Sequence, residues 1–206
     1  MRQVTRFFWV VLLMLVAGNA SAQIPEGWRF PEKYTSLVEF LADSLPDLHD
    51  IKIKVKEKPI GTTMAMRPAF GSFFKKPEKR TYVLCINSKE NFSGVLYDDV
   101  PPEARVGLVV HEFMHIRDYQ DRNFFGLLER GWQYLSKKGK RKFEFEIDQM
   151  VIEAGFGFFL YAWSSYVIDK SGVDEKYLEF KKEVYMGPHD ILTEINQIGD
   201  GEILNL

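Results

Sequence analysis

The sequence predicts an α+β fold: one helix, a small and mostly antiparallel sheet, a motif-bearing helix, then an all-helical half. Three observations carry this. Alternation of apolar and polar residues, the pattern of a half-buried strand, is confined to residues 51–87. Beyond residue 101 the spacing is helical and opens with a helix-start signal. No internal repeat or low-complexity tract interrupts the chain. Strands gathered in one stretch and helices in another are the α+β pattern, as distinct from alternating βαβ units.

The first 22 residues are read apart from the fold. Arg2 and Arg6 precede an apolar run, residues 7–17, and Ala20-Ser21-Ala22 supplies a small-residue cleavage site. That is the layout of a secretory signal peptide, with an uncleaved anchor as the alternative. Residues 23–206 are then expected as a single domain, exported to the periplasm or beyond the cell. The 206-residue chain has 27 Lys and Arg against 29 Asp and Glu, so no basic excess argues for nucleic-acid binding. Seventeen Phe place it among globular rather than disordered chains. Cys85 is the only cysteine, so the domain is held by its core or a metal rather than an internal disulfide.

Element by element, residues 32–44 have helical spacing, with Tyr34, Leu37, Val38 and Leu41 on one side. Ile51, Ile53 and Val55 alternate with Lys52, Lys54 and Lys56, a strand whose lysines suit a sheet edge. Residues 62–66 are a second strand, 67–79 a Pro- and Gly-punctuated connection, and 80–87 the clearest strand. Acids followed by Pro101-Pro102 start a helix over 102–120. Residues 124–135 form a short apolar helix and 137–142 a basic linker. A long helix begins near Arg141, and Gly155 and Gly157 break or kink it. Residues 158–168 are a buried helix, too short for a comfortable membrane span. Two closing helices cover 173–185 and 188–195, so no transmembrane segment is expected beyond the signal.

The chemistry sits in His111-Glu112-Phe113-Met114-His115, an H-E-x-x-H motif on the predicted 102–120 helix. Residues four apart share a helix face, so both imidazoles can reach one Zn²⁺ while Glu112 stands beside them as general base. A catalytic zinc needs a third protein ligand and an open position. His49 and His189 are possible but lack context. Asp121 lies six residues after His115, yet the glycine that would turn the chain back in an H-E-x-x-H-x-x-G-x-x-D arrangement is replaced by Asp118. Asp118 could instead orient a ligand. The stronger candidate is Glu144 on the next long helix, with Asp148 one turn on and free to accept a hydrogen bond from a ligand imidazole. Glu146 and Glu153 project elsewhere at 100° per residue.

The pairing of His111-Glu112-x-x-His115 with Phe143-Glu144-Phe145-x-x-Asp148 resembles the gluzincin metallopeptidases, especially the CAAX prenyl protease-like group, over about a quarter of the chain. The resemblance implies a zincin-like domain with His111, His115 and Glu144 as zinc ligands, Glu112 as base and Asp148 as support. Ile147 stands where that group has Ala, and its transmembrane helices are missing, so prenyl specificity is not implied. The expected function is hydrolysis of a peptide or protein substrate by an exported zinc metallopeptidase. Tyr119, Tyr185 and His189 are candidate oxyanion donors, and residues 80–87 the strand beside which a peptide would lie. The alternatives are a zincin-like metal-binding module without peptidase activity, and an envelope interaction protein in which the motif is accidental.

Overall fold

A computed structural model describes residues 23–203; the expected signal peptide lies outside them. Four strands form one sheet in the order β1–β2–β4–β3, with β1 Trp28–Arg29, β2 Lys52–Lys58, β3 Met64–Pro68 and β4 Thr81–Asn87. β1 and β4 both run parallel to β2, and only β3 runs antiparallel, against β4. The sheet is therefore mixed, which corrects the expectation of a mostly antiparallel one. The reason is the return path: β3 is passed over, and the chain comes back through residues 69–80 to place β4 between β2 and β3. Alternation fixes which side chains share a face, but not which strand lies next door.

Two further expectations change with that order. The lysines of β2 do not guard a free edge along the whole strand, since β2 pairs with β4 throughout and with β1 at Ile53 and Lys54. The clear strand β4 is central, and the free edge beside the helices belongs to β3. The predicted faces hold. Ile53, Tyr82, Leu84, Ile86, Met64 and Met66 come into register on one face and are buried.

Among the described residues seven α-helices follow the plan, the last running eight residues further than expected: α1 Thr35–Ser44, α2 Pro102–Gln120, α3 Phe124–Gln133, α4 Lys137–Val151, α5 Gly157–Ser165, α6 Glu175–Val184 and α7 Pro188–Ile203. α2 opens with Pro102, where the missing N–H costs nothing. It is buried at thirteen of its nineteen positions and packs on β3, α4 and α5, so it is the central element of the fold. Gly107 makes the α2–α5 crossing possible: a Cβ there would lie 2.0 Å from the Phe159 carbonyl oxygen.

The basic run 137–142, expected as a linker, is the opening of α4. Ser136 caps that helix by accepting a hydrogen bond from the Gly139 N–H at 3.0 Å, and lysine and arginine are good helix formers. Gly155, at φ 87°, supplies the expected kink inside a π-helical turn, Ile152–Phe156. The run Lys137–Asp169 is long and apolar enough to cross a membrane by length and composition alone. In the fold it is bent at Gly155, and Leu160, Trp163 and Val167 pack into the core.

Candidate metal centre

α2 and α4 bring the candidate ligands together. His111 and His115 lie one turn apart on α2, and their rings sit 5.0 Å apart, centroid to centroid. Glu144 comes from the facing side of α4. His111 Nε2 is 3.1 Å and His115 Nε2 3.6 Å from Glu144 Oε2. Tetrahedral zinc with bonds of about 2.0–2.1 Å sets its ligand atoms roughly 3.3–3.4 Å apart. The two contacts bracket that spacing, and the three residues could hold a metal ion. The donor set, two imidazoles and a carboxylate, suits zinc. All three side chains are buried, Glu144 at 1 % exposure.

Asp148 stands where the sequence predicts. Its Oδ1 lies 2.8 Å from His111 Nδ1, and its Oδ2 accepts the Met186 N–H at 2.9 Å. In the neutral ring a carboxylate on Nδ1 keeps the proton there and leaves the Nε2 lone pair for a metal. Burial alone would lower the His111 pKa, but the hydrogen bond and charge of Asp148, with those of Glu144, raise it to about 10. Burial would likewise raise the Glu144 carboxyl; His111 and His115 outweigh it and hold the group well below the usual range. The free centre thus keeps a proton where the metal would sit. His115 Nδ1 is a buried atom without a hydrogen-bond partner.

Glu112 Oε2 accepts the Met66 N–H at 2.6 Å. Thr63 and Ala69 turn their backbones to β4, which directs Met66 to the free side of β3. Glu112 therefore joins the motif helix to the sheet edge. Its Oε1 has no hydrogen-bond partner among the described residues, and Glu112 follows His111 directly and precedes His115 by three residues.

Tyr134, which the sequence reading did not single out, donates its hydroxyl to Glu144 Oε1. Nothing local signals this; it depends on where α3 ends against α4. Of the expected oxyanion donors, Tyr185 stacks obliquely on His111 at 5.7 Å and Tyr119 on His115 at 5.9 Å. Burial, then the nearby Glu144, raises the pKa of all three tyrosines, so each stays a protonated donor. His189, on the first turn of α7, and His49, bonded to the Ala42 carbonyl, are not part of the cluster.

The other two acidic candidates lie outside the cluster. Asp121 caps the end of α2 in an exposed position and does not join the triad. Asp118 touches no ligand imidazole. It is held by Arg122 at 2.9 Å and Arg130 at 2.5 Å, and Arg130 also reaches Glu146 at 2.7 Å. That network ties α3 to α2 and α4. Between α3 and the free end of β3 runs a cavity of about 800 Å³, lined by Arg67, Phe73, Leu127 and, on the triad's side, Tyr119, Tyr134 and Phe143. Leu127, Arg130 and Gly131 of α3 form one wall of it. No protein-family model, curated protein or solved structure matches the chain.

Proposed function

We propose that this chain is an exported zinc-dependent metallopeptidase of gluzincin type, with a zincin-like fold. The observation that carries the reading is the convergence of His111 Nε2, His115 Nε2 and Glu144 Oε2, with Glu112 adjacent on the same helix. Zinc held there supplies Lewis acidity, polarising a carbonyl and bringing the pKa of a water to about 7. His111 is oriented for its part by Asp148. Glu112 takes the proton of the attacking water on its free Oε1 and passes it to the leaving amine, its Oε2 steadied by Met66. Tyr134 or Tyr185, each protonated, donates to the developing oxyanion. β4 is paired on both sides, and on the outer side of β3 the Met66 N–H is taken by Glu112, the Met64 carbonyl by Thr62, and Pro68 has no N–H, so the peptide is held by side chains rather than by strand addition.

One observation favours a second reading, a metal-binding module without peptidase activity. The triad is buried, and Glu112, His115 and Glu144 do not line the 800 Å³ cavity. Tyr134 must then leave Glu144 for substrate to enter. The two readings part on a peptide mixture digested by zinc-loaded protein and by Glu112→Gln. The peptidase reading expects cleavage by the first and a loss of at least about 100-fold in the second. Equal digestion, or none by either, removes it. Absence of stoichiometric zinc binding removes both.

A further inference from the structure

Eight large apolar side chains are exposed among the described residues, and six belong to one face, Tyr134 turning inward to Glu144 and Phe158 lying on another helix. Phe70, 94 % exposed, and Phe74 rise from the connection before β4; the rest lie on α3 and the turn after it. Phe125, Leu128, Trp132 and Leu135 are spaced three, four and three residues apart. At 100° per residue the three on α3, Phe125, Leu128 and Trp132, fall within a sector of about 60°, a stripe facing solvent, and Leu135 follows in the turn. The opposite side of α3 is anchored by buried Leu127 and by Arg130 on Asp118 and Glu146. The stripe is therefore held out rather than folded in. Phe74 stacks on Phe124 at 5.2 Å, and Phe73 meets the same ring edge-on at 5.5 Å, which joins loop and helix into one patch.

The charge around that patch has one sign. Across residues 67–80 and 124–142 the exposed ionic side chains are eight cations and two acids, Glu78 and Glu129. Lys75, Lys76 and Lys138 have no ion-pair partner among the described residues. The chain as a whole carries a net charge of −2, so this face is positive against a more acidic remainder.

We infer that this face docks on an anionic lipid bilayer. Phe125, Trp132, Leu135 and Phe70 enter the boundary between headgroups and acyl chains, and the flanking lysines meet lipid phosphates. A projecting ridge of Phe, Trp and Leu with cations on its flanks is the form that lies in an interface. A bilayer needs no complementary pocket, and its anionic surface attracts such a cluster within a Debye length. The docking does not depend on the metal centre, and it sets the mouth of the cavity behind α3 close to the membrane.

The test uses the chain from Gln23 on, which holds every described element. It is sedimented with vesicles of phosphatidylcholine alone or with 30–40 % phosphatidylglycerol, roughly the anionic content at which surface potential matters. Binding is expected to the anionic vesicles only, weakened at about 0.5 M salt. Brominated lipid should quench Trp132, the exposed tryptophan, while Trp28 and Trp163 are buried. Phe125→Ser with Trp132→Ser should lower partitioning at least about ten-fold, and Lys76→Glu with Lys138→Glu, two lysines outside any ion pair among the described residues, should do so without touching the apolar stripe. Near-ultraviolet circular dichroism checks that each variant keeps its fold. Folded wild type that stays in the supernatant overturns the proposal. So does a dimer in solution that the serine variants split while vesicles remain unbound.

Discussion

His111 is held at both ends of its ring, by Asp148 on Nδ1 and Glu144 at Nε2. A carboxylate on the far nitrogen raises the basicity of a metal-bound imidazole and fixes its plane, and its loss costs about 10–100-fold in metal affinity. Asp148→Asn should therefore weaken zinc binding by about that factor, while Glu144→Ala should weaken it further. Asp121→Ala, at the exposed end of α2, should leave it unchanged. Titration against a competing chelator checks all three, and a larger loss in Asp121→Ala than in Glu144→Ala would reverse the ligand assignment. These positions were legible because helix periodicity alone sets i, i+4 pairs on one face, and the two turns of Glu144 and Asp148 match the two of His111 and His115. Tyr134 was not legible, because its hydroxyl meets Glu144 only through the tertiary angle between α3 and α4. Asp118 was misjudged for a related reason: its i+4 neighbour Arg122 and the distant Arg130 compete for it more closely than any imidazole.

Among the elements, α2 has the least room to change. A methyl group on Gly107 would run into the backbone of α5 at Phe159, and backbone cannot swing aside as a side-chain tip can. Gly107→Ala should destabilise the protein by about 2–3 kcal/mol through forced separation of α2 and α5. Gly131, on the exposed side of α3, is the contrast. A Cβ there meets nothing within 4 Å, and Gly→Ala in an open helix adds up to ~1 kcal/mol. Urea unfolding of the two variants should shift in opposite directions; a shared direction would contradict the packing at the α2–α5 crossing. Helix extents were largely readable from the sequence, since start signals and periodicity are local. The opening of α4 was misread because a run of lysines around a glycine resembles a loop, and the Ser136 cap outweighs that composition.

At the scale of the whole molecule, the coarse α+β order was readable and the sheet's internal order was not. Strand direction and neighbour are decided by long-range pairing, which alternation does not encode. The same long-range assembly gives the candidate metal centre a consequence for stability. The raised pKa of His111, about 10 against 6.5 in a free chain, makes its pairing with Asp148 and Glu144 a source of stability in the metal-free protein. That contribution is fully present below about pH 6.5 and is lost as pH rises through about 10. Zinc bound as proposed would use the neutral ring and displace this proton, so its affinity should climb across the same window. Ligand-linked stabilisation grows as RT ln(1 + [Zn]/Kd). The melting temperature with zinc should therefore draw away from that in chelator as pH is raised from 6.5 to 9, the metal-free form falling and the loaded form holding. Calorimetry in buffers of different ionisation enthalpy should show net proton release on zinc binding at pH 8. A constant melting gap together with no proton release would mean that His111 is not where the metal binds.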